Sequence, residues 1–511
     1  MLSTSSLLPL RDPRVRRQRG LLLGLFLLSI GAPSCSEIIV QKTSPAEQTP
    51  PPATTTDEPP SEPAPPPVTA PNPLVIDLGT VKSGTDVKFD VPEGALGFQI
   101  QMEGEVADFD QDRPYGIERI VDPTGKVVHD EFMPNGGTKS TSTAAFDTIA
   151  VAAVPQGNNA TAIAAGKWTV RFGVEGNASA KPTVQGRVRV QSSGDGAFHG
   201  GTLDLHVHVP TGLRIEGATV DPTKASADAK LARRIDLFYQ VAKQLIGIGR
   251  GEVVFHAEKA SLAELDDEEI LDGFAVSDGA SDGTPSMHVL FTNAIRQGGE
   301  PIAAGISPGI PGAAALYGRN VSGIIVAPMG DDQTDALVML HEMGHFIGLN
   351  HTTEFDGQSA DPLSDTPRCT TIGNQQLEGC DDRKNVMFPA GPIDGPVTLS
   401  PTQVRVYRGS PVYKASTATK AMSFSPSTGE APPPPMRVRL RRSGASNLSP
   451  VERELAMGFC GLTKIDGNAI AKKLGETAAV AQLRAAAADT DLAPFVRGRA
   501  RVALQQLGKT P

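Results

Sequence analysis

Between Pro73 and about Gln191, apolar and polar residues alternate in short runs, as in Val87-Lys88-Phe89-Asp90-Val91, Gly97-Phe98-Gln99-Ile100-Gln101 and Trp168-Thr169-Val170-Arg171-Phe172. A period of two puts every second side chain on one face of a strand, and the Gly, Pro, Asn and Asp clusters between runs mark turns. The pattern predicts an antiparallel β-sandwich over residues 73–196. Past Gly200 the pattern changes. Strands are predicted at Thr202 to Val209, Glu252 to Ala257, Met287 to Phe291 and Val321 to Ala327, and an amphipathic segment runs from Ser226 to Ile246. Mixed helices and strands make residues 197–414 a second domain. Ala- and Leu-rich sequence from Leu448 to Leu507 predicts a small α-helical domain over 448–511.

Composition adds the segments that cannot fold. Residues 36–72 are mostly Pro, Thr, Glu and Ala, which cannot bury a core and favour extended conformations, so they read as a disordered spacer. A second Pro-rich stretch followed by Arg437, Arg439, Arg441 and Arg442 makes residues 415–447 a linker. Residues 1–35 carry Arg11, Arg14, Arg16, Arg17 and Arg19, then an apolar run from Leu21 to Ile30, then Gly31-Ala32-Pro33-Ser34-Cys35. That is the form of an export signal, and the run is too short to span a bilayer. Small residues before a cysteine resemble a bacterial lipobox, which implies lipid on Cys35 and attachment to a membrane. Ordinary cleavage after Ser34 is the alternative. Both readings export the chain, as an envelope lipoprotein or an extracellular protein. With 47 basic and 57 acidic side chains the formal charge is -10, which argues against a nucleic-acid partner. Cys369 and Cys380 are close enough in sequence to pair in an oxidising compartment, and Cys460 reads as a buried free thiol.

The chemistry concentrates in Asp331 to His351, which contains H-E-x-x-H-x-x-G-x-x-H. Asp331 or Asp332 can cap a helix whose apolar face is Ala336, Leu337, Leu340, Met343 and Ile347. His341 and His345, four residues apart, then project together and can share one metal. Glu342 is offset by about 100° around the helix, so its carboxylate can act as general base on a metal-activated water without being a ligand. In a continued helix His351 would lie about 9 Å beyond His345 on another face. Gly348 can take the positive φ of a helix C-cap, turning the chain so that His351 returns as third ligand. Three imidazoles with one open position suit a single catalytic Zn²⁺.

These residues resemble the metzincin zinc metallopeptidases, whose extended motif is matched by His341, Glu342, His345, Gly348 and His351. The family has a methionine-containing turn beneath the metal, and Asn385-Val386-Met387-Phe388-Pro389 is similar to it, with Met387 as the methionine. The stretch from His351 to Cys369 further resembles the pappalysin-like branch and related bacterial enzymes. The resemblance covers roughly Gly200 to Val412. It implies a multidomain chain in which an α+β zincin-like catalytic domain follows the sandwich and precedes the helical domain. It also implies a substrate strand paired to a sheet edge near Gly323 to Ala327. Two departures matter. Phe388 and Pro389 stand where some branches place a zinc-ligating tyrosine, and no cysteine other than Cys35 precedes the catalytic domain to form a cysteine switch.

The remaining candidates are weaker. His206 and His208 alternate on one strand and read as structural, with a second metal pair as the alternative, and His256 and His288 read as ordinary strand residues. Asp361, Asp365, Asp381 and Asp382 read as a solvated acidic loop, with a Ca²⁺ site as the alternative. The function expected from the whole is a zinc-dependent endopeptidase acting on protein or peptide substrates. The rival is a surface-tethered adhesion or binding lipoprotein with a non-catalytic zinc site.

Overall fold

The structure, a computed structural model, describes residues 73–104, 115–130, 142–146, 148–155, 163–174, 182–266, 269–277, 284–317, 321–354, 360–369, 379–391, 396–417, 448–456 and 465–511. The export segment with Cys35, the 36–72 spacer, the arginines of the second linker and Cys460 lie outside the described residues. Among the described residues no helix is long and apolar enough to cross a membrane.

Residues 74–192 form two antiparallel sheets. One orders its strands Leu74–Lys82, Thr183–Ser192, Ala95–Glu103, Ile149–Val154 and Ser142–Phe146; the other orders Asp86–Val91, Gly166–Val174, Tyr115–Val121 and Val127–Asp130. The alternating positions share one core. There Phe98 meets Phe89 and Trp168 edge-on, at 5.6 and 4.9 Å between ring centroids.

The main sheet of the next domain is mostly parallel, in the order Ile248–Glu258, Gly201–Pro210, Met287–Phe291, Gly323–Val326 and Gly305–Ile306, and Lys414–Ala415 pairs with the start of Gly201–Pro210. Only Gly305–Ile306 and Lys414–Ala415 run antiparallel to their neighbours. Leu203, Leu205, Val207, Val209, Val289 and Ile324 turn one face of this sheet toward the helices Ala229–Ile246 and Asp332–Ile347. Those two helices are bolted together by charge. Arg234 and Asp335 are both fully buried, with Arg234 Nε donating to Asp335 Oδ2 at 2.6 Å and Arg234 Nη2 donating to Glu216 at 3.0 Å. Asp335 also accepts from the Met329 amide, fixing the loop that enters the second helix.

One expectation is overturned here. Gly323–Val326 is not a sheet edge, because it pairs with Met287–Phe291 on one side and with Gly305–Ile306 on the other. Gly305–Ile306 stands outermost. Two residues of alternating apolar character are too short to register as a strand in the sequence, so the true edge was hidden.

The neighbouring parts close on this sheet from both sides. From the sandwich, Gln99 and Gln101 donate to the carbonyls of Gly312 and Ala314 at 3.0 and 2.6 Å, and Gln99 Oε1 accepts the Ala314 amide at 2.8 Å. These are buried polar pairs in a packed interface, so each partner is costly to remove. At the other end the helix Pro494–Gln506 lies on the strand Glu300–Ala303. Arg501 pairs with Glu300 at 2.7 Å, and a Cβ at Gly498 would collide with the Pro301 carbonyl.

Candidate metal centre

The helix Asp332–Ile347 begins where Asp331 accepts hydrogen bonds from the Thr334 amide and hydroxyl, at 3.0 and 2.6 Å. It ends at Gly348, whose φ of 116° only glycine adopts without strain, and whose amide donates to the carbonyls of Gly344 and His345. The turn brings His351 back to the other two histidines. His341 Nε2 lies 3.0 Å from His345 Nε2, which lies 3.1 Å from His351 Nε2. All three rings are buried.

Their hydrogen bonds settle which nitrogens carry protons. His341 Nδ1 donates to the Val386 carbonyl at 2.6 Å and His345 Nδ1 to the Leu349 carbonyl at 2.8 Å, because a carbonyl only accepts. His351 Nδ1 donates to Glu354 Oε2 at 3.1 Å. Burial pushes His341 down to about 3 and His345 well below its ordinary value, so both rings are neutral near pH 7. The three Nε2 atoms face one another, and the neutral His341 and His345 have no proton there to share, so a hydrogen bond does not explain their 3.0 Å approach. A cation can: ligand bonds of about 2.0–2.1 Å in tetrahedral geometry place nitrogens about 3.4 Å apart, close to what is seen. The group of His341, His345 and His351 can hold a metal ion.

The surroundings brace these rings. Val386, which accepts from His341, precedes Met387, and Met387 O accepts from the Thr352 amide at 3.0 Å, so one turn grips both the His341 ring and the chain just after His351. Beneath the helix a Cβ at Gly344 would overlap Met387 Sδ and stand 2.7 Å from Tyr407 Oη, which donates to the Leu340 carbonyl. Only glycine fits between helix and turn. Glu342 is fully buried and lies under the edge strand, where a Cβ at Gly305 would come within 2.7 Å of Glu342 Oε1. Cys369 and Cys380 are joined as a disulfide with Cα atoms 4.8 Å apart, and the Cys369 amide donates to Thr353 Oγ1, two residues past the third histidine.

Other candidates are placed elsewhere. Asp365 accepts from Ser400 Oγ and the Thr402 amide, which caps the helix Pro401–Gly409. Asp361 accepts from Thr366 and Leu363, and burial pushes its carboxyl up to about 7. Among the described residues no three carboxylates of this loop converge on one point. His206, His208, His256 and His288 gather on the face of the sheet opposite the metal centre. Sequence reasoning did not single out Glu354, Gly305 or Tyr407. Glu354 stands three residues past the last motif histidine, and that spacing was its only signal.

No family model matches the chain, and no curated protein matches it. The solved structures that match include metalloproteinase-II from Bacteroides fragilis, at 12% identity and a TM-score of 0.20, over 35% of this chain and 58% of that one. A likeness at that level fixes neither fold nor activity.

Proposed function

We propose that the protein is an exported zinc-dependent endopeptidase of the metzincin type, with protein or peptide substrates. The reading rests above all on three imidazole Nε2 atoms that meet at 3.0 and 3.1 Å, with the buried Glu342 next in sequence to the first of them. His341, His345 and His351 would hold the ion, and a set of three protein ligands suits a catalytic rather than a structural zinc, which usually has four. When bound there, the ion would supply Lewis acidity toward a water molecule and a substrate carbonyl.

The chain's own residues do the rest. Glu342 takes the proton from the attacking water and hands it to the amine nitrogen as the C–N bond breaks, which restores the carboxylate for the next cycle. Among the described residues Gly305–Ile306 pairs with the sheet on one side only, so its other edge offers backbone groups to an extended peptide lying over Glu342. The Glu354 carboxylate and the Val386 and Leu349 carbonyls keep the three rings in the tautomer that leaves Nε2 bare.

The test compares the chain lacking residues 1–35 with its Glu342→Ala variant, for zinc content and for cleavage of a mixed peptide library. Both should bind about one zinc, and only the unmodified chain should cut. If both bind and neither cuts, after the flanking domains have also been removed, the protein is a zinc-stabilised binding protein.

A further inference from the structure

Four of the nine histidines stand together outside the metal centre. His206 and His208 come from Gly201–Pro210, His256 from Ile248–Glu258 and His288 from Met287–Phe291. The register of the parallel strands sets His208 opposite His256 and His206 opposite His288. Each in-register pair stacks face to face, at 4.7 Å and 16° for the first and 4.5 Å and 20° for the second. The diagonal pairs meet edge to edge: His206 Nδ1 lies 2.8 Å from His256 Nε2, and His208 Nε2 lies 2.9 Å from His288 Nδ1. The result is a square of imidazoles spanning three adjacent strands. His208 and His288 are fully buried, and His206 and His256 are half-buried.

This square is built differently from the metal centre. There three Nε2 atoms converge; here, among the described residues, no three ring nitrogens share a centre. Each diagonal gap instead fits one N–H···N hydrogen bond, which needs one donor, one acceptor and therefore a single proton. The direction of one bond follows from its surroundings. His208 Nδ1 meets Glu258 Oε1 at 2.8 Å and donates to it, so His208 Nε2 accepts and His288 Nδ1 donates. In agreement, His288 Nε2 is buried with no hydrogen-bond partner among the described residues, as suits its unprotonated nitrogen.

A further proton cannot be added without loss. On an accepting nitrogen it breaks an N–H···N bond, on the buried Nε2 of His288 it places a charge where no acceptor waits among the described residues, and in either case it puts a cation beside two stacked rings at 4.5–5.2 Å. The groups around the square supply one carboxylate. Glu258 lies at one corner with Lys259 nearby, Tyr317 covers His288 at 4.9 Å while its hydroxyl donates to Thr284, and Asp204, two residues before His206, is held by Lys414 and the Glu252 amide. Burial, followed by the neighbouring rings, holds His208 well below the ordinary histidine value, His288 at about 2 and His256 lowered.

We propose that the tetrad is a proton-sensing site: a neutral clasp across three strands of the catalytic sheet that releases when the surroundings turn mildly acid, so that acid disables the enzyme through the sheet as well as through its metal. Folding suppresses protonation that the unfolded chain accepts freely, so stability is intact above about pH 6.5 and falls as the pH drops below it. Each fully suppressed histidine lowers the folding constant about tenfold per pH unit in that window.

The test follows denaturation midpoints of the zinc-loaded full chain between pH 8 and 4.5, beside the double variant His206→Gln/His256→Gln. That pair is half-buried, and its amides can hydrogen-bond without taking up a proton. The variant should be less stable at pH 8, and its folding constant should fall less steeply in acid by about tenfold per pH unit. Parallel curves would overturn the proposal, placing acid sensitivity elsewhere. The second measurement needs no variant: imidazole ¹⁵N spectra of the wild-type chain should show two shared N–H···N protons that persist at pH 5.5 until unfolding. Four rings titrating singly near pH 6.5 in the folded protein would refute the clasp whether or not the variant folds.

Discussion

Gly344 is where the helix and the turn carrying Met387 meet, beside the histidines proposed to hold the metal, and Gly344→Ala asks whether they act as one unit. The added methyl would overlap Met387 Sδ and approach Tyr407 Oη at 2.7 Å, so the sulfur must retreat by about 1 Å or more to reach ordinary contact. Met387 and Tyr407 are fully buried, which leaves them little room. Overpacking of this kind costs about 1–3 kcal/mol, or about 2–12 °C in Tm for a domain of this size. The displacement should also reach the metal, because Val386, next to Met387, holds His341 by a 2.6 Å bond. Losing such outer support typically costs about 10–100-fold in metal affinity. The assay is a double-mutant cycle with Met387→Ala, reading Tm and zinc affinity by chelator competition. In the Met387→Ala background the methyl meets less resistance, and a coupling of about 0.5–3 kcal/mol should appear. Strict additivity, or a Gly344→Ala variant that melts and binds zinc like the parent, would mean that Met387 does not form the floor of the centre.

Glu354→Gln should weaken zinc binding about tenfold or more while leaving Tm of the metal-free chain nearly unchanged, since it removes only the carboxylate that orients His351. Equal affinities in chelator competition would show that His351 needs no such partner. Gln99→Ala strands the Gly312 carbonyl and the Ala314 amide in a buried interface, and a loss of about 2–5 kcal/mol is expected in denaturant titration. A change below about 0.5 kcal/mol would mean the sandwich is only loosely docked. Stripping the metal should destabilise the folded chain by about 4 kcal/mol relative to zinc at a thousandfold excess over its Kd, seen as a lower Tm that zinc restores.

How much of this was legible depended on whether a signal was local. The Met287–Phe291 strand carries the limits read from its apolar run, while the run at Glu252 to Ala257 extends to Ile248–Glu258 because tertiary pairing recruits flanking polar residues. The spacing of His341 and His345 is a helical property, Gly348 signals the turn that returns His351, and together they forecast a shared centre. The edge strand Gly305–Ile306 was invisible, since two residues have no period. The histidine square was invisible for the opposite reason. His206 and His208 read singly as structural, and only strand register, which one sequence does not reveal, brings His256 and His288 against them. Asp365 looked like a ligand candidate because carboxylates do, yet a helix cap 35 residues away uses it.

The helix Pro494–Gln506, seated on Glu300–Ala303, has a mechanical corollary. The strand it grips runs, after Ala304, straight into Gly305, whose backbone lies over Glu342. A load applied to the C-terminus is thus delivered through Arg501 and the tight contact at Gly498 to the edge strand over Glu342, with few residues between to absorb it. Whatever tugs on the tail tugs on the shelf where the peptide would lie.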